Sequence, residues 1–139
     1  MKEIIIIAIT ALLMCGYVNA QNSNSAVRDA NGNRTGRIDN DGVMRDANGN
    51  RVGRFDDNGV VRDANGNRTG RIDSDGTVRD ANSNRIGRID SDGIVRDANG
   101  NRIGKVEKDG IVRDANGNRI GRVDNPSNLQ EVAYWFFFK

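Results

Sequence analysis

The sequence has 139 residues, with 21 Lys and Arg against 19 Asp and Glu, a net charge of +2, no histidine and one cysteine. That inventory excludes nucleophile-and-base constellations built on histidine and metal sites built on His and Cys clusters. Charge of both signs runs through the whole chain, whereas a nucleic-acid binder gathers uncompensated basic residues on one face, so nucleic acid is not an expected partner.

Residues 1–20, MKEIIIIAITALLMCGYVNA, carry Lys2, an apolar run from Ile4 to Leu13, and small residues before Gln21. This pattern predicts a secretory signal peptide cleaved between Ala20 and Gln21, too short and too poorly flanked for a membrane span. The expected location is therefore exported: periplasm, cell surface or extracellular space. Cys15 offers a lipoprotein alternative, but Met14 stands where lipidation wants a small residue, and cleavage at Ala20 is the better fit. The remaining chain, about 119 residues, has no cysteine, so disulfides do not hold it together despite export. It has no transmembrane segment. Residues 21–26 read as a short linker.

Residues 27–125 contain six copies of a 17-residue unit, starting at Val27, Met44, Val61, Val78, Val95 and Val112. Arg28, Asp29, Ala30, Asn31, Asn33, Arg34 and Gly36 recur identically in every copy. One copy offers about three good aliphatic side chains, too few for a core, so the copies share one.

Each unit has two turn signals. Asn31-Gly32, Asn48-Gly49, Asn65-Gly66, Asn99-Gly100 and Asn116-Gly117 predict two-residue type I′ hairpin turns with both residues at positive φ. The fourth copy has Asn82-Ser83, a slightly less favourable turn. Half a unit away, DNDG, DDNG, DSDG, DSDG and EKDG end at Gly42, Gly59, Gly76, Gly93 and Gly110. Two turns per unit leave two strands of about four to six residues and no room for a helix within the unit. Gly36 sits two residues before Ile38, on the same face, which predicts that this face looks inward at a crowded axis. Between successive Asn-Gly turns lie five complete hairpins, and the leftover half-units at the two ends are expected to pair and close a ring.

After Pro126 the chain changes to SNLQEVAYWFFFK. Residues 126–139 form an aromatic segment, and Tyr134, Trp135, Phe136, Phe137 and Phe138 are expected to plug the axis with bulk that the repeats lack. The fold class expected is all-β: β-hairpin repeats around a central axis, plugged by the C-terminal segment.

A signal peptide ending before Gln, units of the type DGIVRDANGNRIGKVEKDG and the terminus EVAYWFFFK together resemble the secreted bacterial five-fold β-flower proteins. The resemblance spans Val27 to Phe138 and implies a flower of β-hairpins, exported from the cell, with no established biochemical activity. DANGNR is also similar to text in the YD repeats of secreted toxin shells, where it reflects shared turn chemistry.

Three chemistries compete for the polar residues. Asp29, Asn31 and Asn33, like Asp114, Asn116 and Asn118, alternate as calcium ligands do, but Arg34 stands where an EF-hand needs Gly and Asn40 where it needs Glu. Arg34, Arg37, Arg51, Arg54, Arg68, Arg71, Arg85, Arg88, Arg102, Arg119 and Arg122 are candidates for anion binding, against pairing with Asp on a neighbouring strand. For Asp114 an Arg partner is the expectation. Carboxylate-pair catalysis would have to recur in every near-identical copy, whereas an active site is one asymmetric constellation. The reading is a non-enzymatic structural or interaction module of unknown ligand, without cofactor; calcium binding and anionic-glycan binding are the alternatives, and a cell-surface protein or glycan is the candidate partner.

Overall fold

The computed structural model describes residues 25–139; the expected signal peptide and cleavage point lie outside them. Twelve strands run in sequence: β1 (Ser25–Asp29), β2 (Arg34–Ile38), β3 (Val43–Asp46), β4 (Arg51–Phe55), β5 (Val60–Asp63), β6 (Arg68–Ile72), β7 (Thr77–Asp80), β8 (Arg85–Ile89), β9 (Ile94–Asp97), β10 (Arg102–Val106), β11 (Ile111–Asp114) and β12 (Arg119–Val123). Every strand pairs antiparallel with its chain neighbours, and β1 pairs with β12, so the sheet closes into a barrel. β1 begins at Ser25, so the end of the expected linker belongs to the ring.

The ring is six petals, each a hairpin closed by an Asn-Gly or Asn-Ser turn at its tip. Five turns at the base, four ending in Asp-Gly and one in Asn58-Gly59, join one petal to the next. The sixth junction is the seam between the half-units, where Val27 lies opposite Val123 and Arg28 opposite Arg122. There Asp124 N–H donates to the Ala26 carbonyl at 2.9 Å and Ser25 Oγ to the Asn125 carbonyl at 3.0 Å. Asn125 takes φ of 47°, and Pro126 directs the chain away from the strand. Closure leaves no free sheet edge.

Both turns differ from type I′. At the tip, Gly32 N–H donates to the Asp29 carbonyl (3.0 Å) and Asp29 N–H to the Asn33 carbonyl (2.9 Å). Gly32 alone takes positive φ, 88°; among the described non-glycine residues only Ser83 and Asn125 do so. This is a three-residue loop, a type I turn followed by a left-handed bulge residue. Asp at the first position selects it, because Asp29 Oδ1 accepts from the N–H groups of Asn31 and Asn33, each at 2.9 Å. The base turn has the same backbone pattern, with Gly42 N–H on the Asp39 carbonyl and Asp39 N–H on the Val43 carbonyl. Its glycine faces the neighbouring petal: the Gly42 carbonyl accepts from Phe55 N–H at 2.8 Å, and the four later base turns repeat the bond.

Two layers line the axis. Val27, Met44, Val61, Val78, Val95 and Val112 lie opposite Gly36, Gly53, Gly70, Gly87, Gly104 and Gly121 across the hairpin. Toward the adjoining petal they lie opposite Val123, Ile38, Phe55, Ile72, Ile89 and Val106. All these apolar residues are buried. A bulge at Thr35 and at the positions equivalent to it brings Val52, Ile86, Ile103 and Ile120 against the same core.

The aromatic segment is a helix, α1 (Leu129–Phe137), which the sequence reading did not anticipate. Asn128 caps it, its Oδ1 accepting from Gln130 N–H (2.9 Å) and Glu131 N–H (3.3 Å). Asn followed three residues later by Glu is a helix-start signal that was present in the text. Successive aromatics in the helix, about 100° apart around its axis, and Phe138 at its C-cap face five of the six petals.

Candidate functional site

The interior is occupied, sector by sector. An added Cβ at Gly36 would lie 2.8 Å from the Trp135 ring, and one at Gly121 2.5 Å from Phe136. The Gly70 position meets Tyr134, Gly87 meets Phe138 and Gly104 meets Phe137. Each glycine also faces a backbone carbonyl of the next strand, so a Cβ has no room on either side. Round the ring the aromatics follow the order Trp135, Tyr134, Phe138, Phe137, Phe136; the four helical ones keep their order around a helical wheel, and Phe138, the C-cap at φ −127°, sits between Tyr134 and Phe137. Gly53 has no tail aromatic; the methyl of Met44 lies 2.7 Å from its added Cβ. Met44 is the one departure from Val among the six first positions. Tyr134 is buried and meets Phe55 edge to face with ring centroids 5.8 Å apart, while Trp135, Phe136, Phe137 and Phe138 are half-buried toward the petal tips. These residues are the plug that the sequence reading placed on the axis.

The carboxylates divide by turn. At the tips, Asp29, Asp46, Asp63, Asp80, Asp97 and Asp114 each cap their own turn. The N–H of Asn118, against some desolvation, holds the Asp114 carboxyl below its usual range; Asn50 and Asn101 act likewise on Asp46 and Asp97. Asp114 therefore serves backbone amides and not an Arg partner. The calcium candidates resolve the same way: Asn31 and Asn33 turn N–H donors toward Asp29, and Asn116 and Asn118 toward Asp114, where a cation needs oxygens. Among the described residues no cluster of three acidic, His or Cys side chains is placed to hold a metal ion.

At the base, Asp41 or its equivalent caps the turn and frees the first acid for guanidinium. Asp39 takes Arg37 and Arg45, Asp56 takes Arg54 and Arg62, Asp73 takes Arg71 and Arg79, Asp90 takes Arg88 and Arg96, and Asp124 takes Arg122 and Arg28. In the fifth junction Glu107 takes Arg113 at 2.9 Å. Hydrogen bonds from Arg96 and Arg88 hold Asp90 below its ordinary range against desolvation. Arg45 also donates Nη1 to the Gly49 carbonyl at 3.0 Å, tying petal base to tip, and all six copies repeat this bond. Arg37, Arg54, Arg71, Arg88 and Arg122, proposed above as anion ligands, are thus partnered within the fold.

Arg34, Arg51, Arg68, Arg85, Arg102 and Arg119 are different. All six are exposed, and none forms an ion pair with another described residue; Arg68 only reaches Ser83 Oγ at 3.4 Å. Register sets them in rows. Arg45 lies opposite Arg37 on one side and Arg51 on the other, and the triplets 54-62-68, 71-79-85 and 88-96-102 repeat it. Each row holds three guanidiniums and one bridging carboxylate. Like charges directly opposite repel, so the third Arg of each row is held without compensation from its row.

A cleft of about 460 Å³ opens at the base, lined by Phe55, Asp57, Asn128 and Glu131 among others. Burial, and then the neighbouring Asp57 charge, push the Glu131 carboxyl up to about 7.

A closed ring of hairpin repeats plugged by an aromatic end matches the 5-fold beta-flower description over residues 24–139. The chain belongs to the 5-fold beta-flower family. No curated protein and no solved structure matches it. In this β-flower protein the ring holds six petals, five covalent base turns and one seam. Among its described residues no helix is long and apolar enough to cross a membrane.

Proposed function

We propose that this β-flower protein is an exported, non-enzymatic structural or interaction module whose outer wall binds anionic polymer, with acidic cell-surface glycan as the partner class. The observation that carries this reading is the row of three guanidiniums around one carboxylate, repeated around the ring. The axis is filled by aromatic side chains, so it supports no buried polar substrate site. The tip and base acids are engaged by backbone amides and guanidiniums, which leaves them poorly suited to acid–base work. A guanidinium fork suits carboxylate and sulfate groups, and weak sites repeated at a fixed spacing gain avidity on a polymer. The calcium alternative lacks this support, since its residues serve the tip turns.

The test is an array of acidic and neutral glycans probed at low and high salt. Binding to acidic glycans that weakens with salt, and falls when Arg34, Arg51, Arg68, Arg85, Arg102 and Arg119 are changed together to Gln, is expected. Absence of acidic-glycan binding, or binding indifferent to salt and to the six substitutions, contradicts the reading.

A further inference from the structure

Six glycines line the axis and five tail aromatics cover them. The uncovered sector, at Gly53, holds the thioether of Met44 in place of a ring. Met44 also lines a cavity of about 220 Å³, whose lining includes Val52, Val61, Thr69, Tyr134 and Phe138. Around the ring the gap falls between the Trp135 sector at Gly36 and the Tyr134 sector at Gly70. The five other sectors show what this interior accepts: a flat ring resting on a glycine floor between aliphatic walls.

We propose that the Gly53 sector is a binding pocket for a small molecule with one aromatic ring and a hydrogen-bond-accepting substituent. The size fits, because an apolar cavity of about 150 Å³ takes benzene and this one has room for a substituent as well. Its lining fits: Tyr134 and Phe138, with centroids 6.0 Å apart and planes tilted by 41°, offer a ring edge and a ring face. Met44 is the residue type best able to give way, since an unbranched thioether changes rotamer readily and packs well on aromatics. The charged lining is Arg62, already bonded to Asp56 and the Gly66 carbonyl, Asp63, whose Oδ1 caps its own turn, and Lys139, with its ammonium 4.4 Å from the centroid of Trp135. The Lys139 ammonium supplies a donor for a phenol oxygen or an aryl carboxylate, which selects a substituted ring over a plain one. The site is separate from the unpaired wall arginines and stands whether or not the wall binds glycan.

The experiment uses the full chain labelled at its methionine methyls, with the Met44 signal assigned by Met44→Leu. Phenol and benzoate are titrated, with cyclohexanol as the saturated control. Saturable upfield movement of the Met44 methyl by the aromatic probes and not by cyclohexanol is expected. Val52→Phe, which fills the cavity from its wall, should weaken the response by about tenfold or more. If that variant does not fold, Thr69→Phe fills the same space from the other side. A Met44 methyl that neither aromatic probe moves, or one that moves equally in a folded filled variant, overturns the proposal.

Discussion

At the residue scale, the glycines decide what the ring encloses. Gly36 and its equivalents were legible as points of close approach from their place before the large apolar position. Which side chain approaches was not legible, because that depends on the wheel of a helix whose orientation only the closed ring defines. A Cβ added at Gly104 would press on the Phe137 ring on one side and lie 2.6 Å from the Arg113 carbonyl oxygen on the other. Gly104→Ala should therefore lower stability by about 1–3 kcal/mol, the cost of overpacking, read as an earlier midpoint in denaturant; an unchanged midpoint would mean the ring does not rest there. Ser83 gives the converse case. It holds φ of 73° in a turn where all five other tips have Gly at 87° to 89°. Ser83→Gly should stabilise the protein by about 1 kcal/mol by removing a left-handed strain, measured as a later midpoint. The turn type itself escaped the dipeptide reading because Asp29, two residues upstream of Asn31, bonds the turn amides and shifts the loop by one residue.

At the scale of elements, the repeat pattern revealed all twelve strands, since two turn signals per unit leave no other arrangement. Helix α1 was missed because five adjacent aromatics show no amphipathic periodicity, and they show none because the ring surrounds the helix and takes aromatics in five of its six sectors. Only the Asn128 and Glu131 pair marked its start. Glu131 also makes the helix sensitive to pH. Its carboxyl titrates at about 7 when folded and near 4.5 in an ordinary setting. Below pH 4.5 the group is protonated in both states and costs nothing. As pH rises from 4.5 toward 7 the unfolded chain ionises while the folded one retains its proton, so stability falls, and above 7 the deficit is constant. The exposed tip acids Asp97 and Asp114, held low, act in the opposite direction, with stability lost as pH falls through their depressed values. Glu131→Gln should remove the decline between pH 4.5 and 7, an effect on the order of 1–2 kcal/mol after solvent screening. Melting temperatures of parent and variant that run parallel across this interval would contradict the assignment.

For the whole molecule, closure and filling are separate achievements of the sequence. Hydrogen bonds and the Arg–acid junctions close the ring, and the seam between β1 and β12 works like the covalent junctions, with Arg28 on Asp124 at 2.9 Å. Filling depends on residues more than a hundred positions from the first petal, and it matches five aromatics and one methionine to six glycines. Residue types alone pointed to a ring with an aromatic plug; the assignment of each side chain to a petal required the pairing register. The division of arginines into bridged and unpaired sets was hidden for the same reason, since the arginines of a unit are similar in text and differ only in which cross-strand neighbour carries the carboxylate.

Thermal unfolding of a chain lacking residues 132–139, followed by circular dichroism, tests the role of the aromatic tail most directly. Without Val132, Tyr134 and the four outer aromatics the axis is empty, and the truncated chain should show neither the β-sheet signal of the parent nor a cooperative transition. A truncated chain that keeps its sheet signal and melts at the parent's temperature would contradict the claim that the tail is the core of the ring.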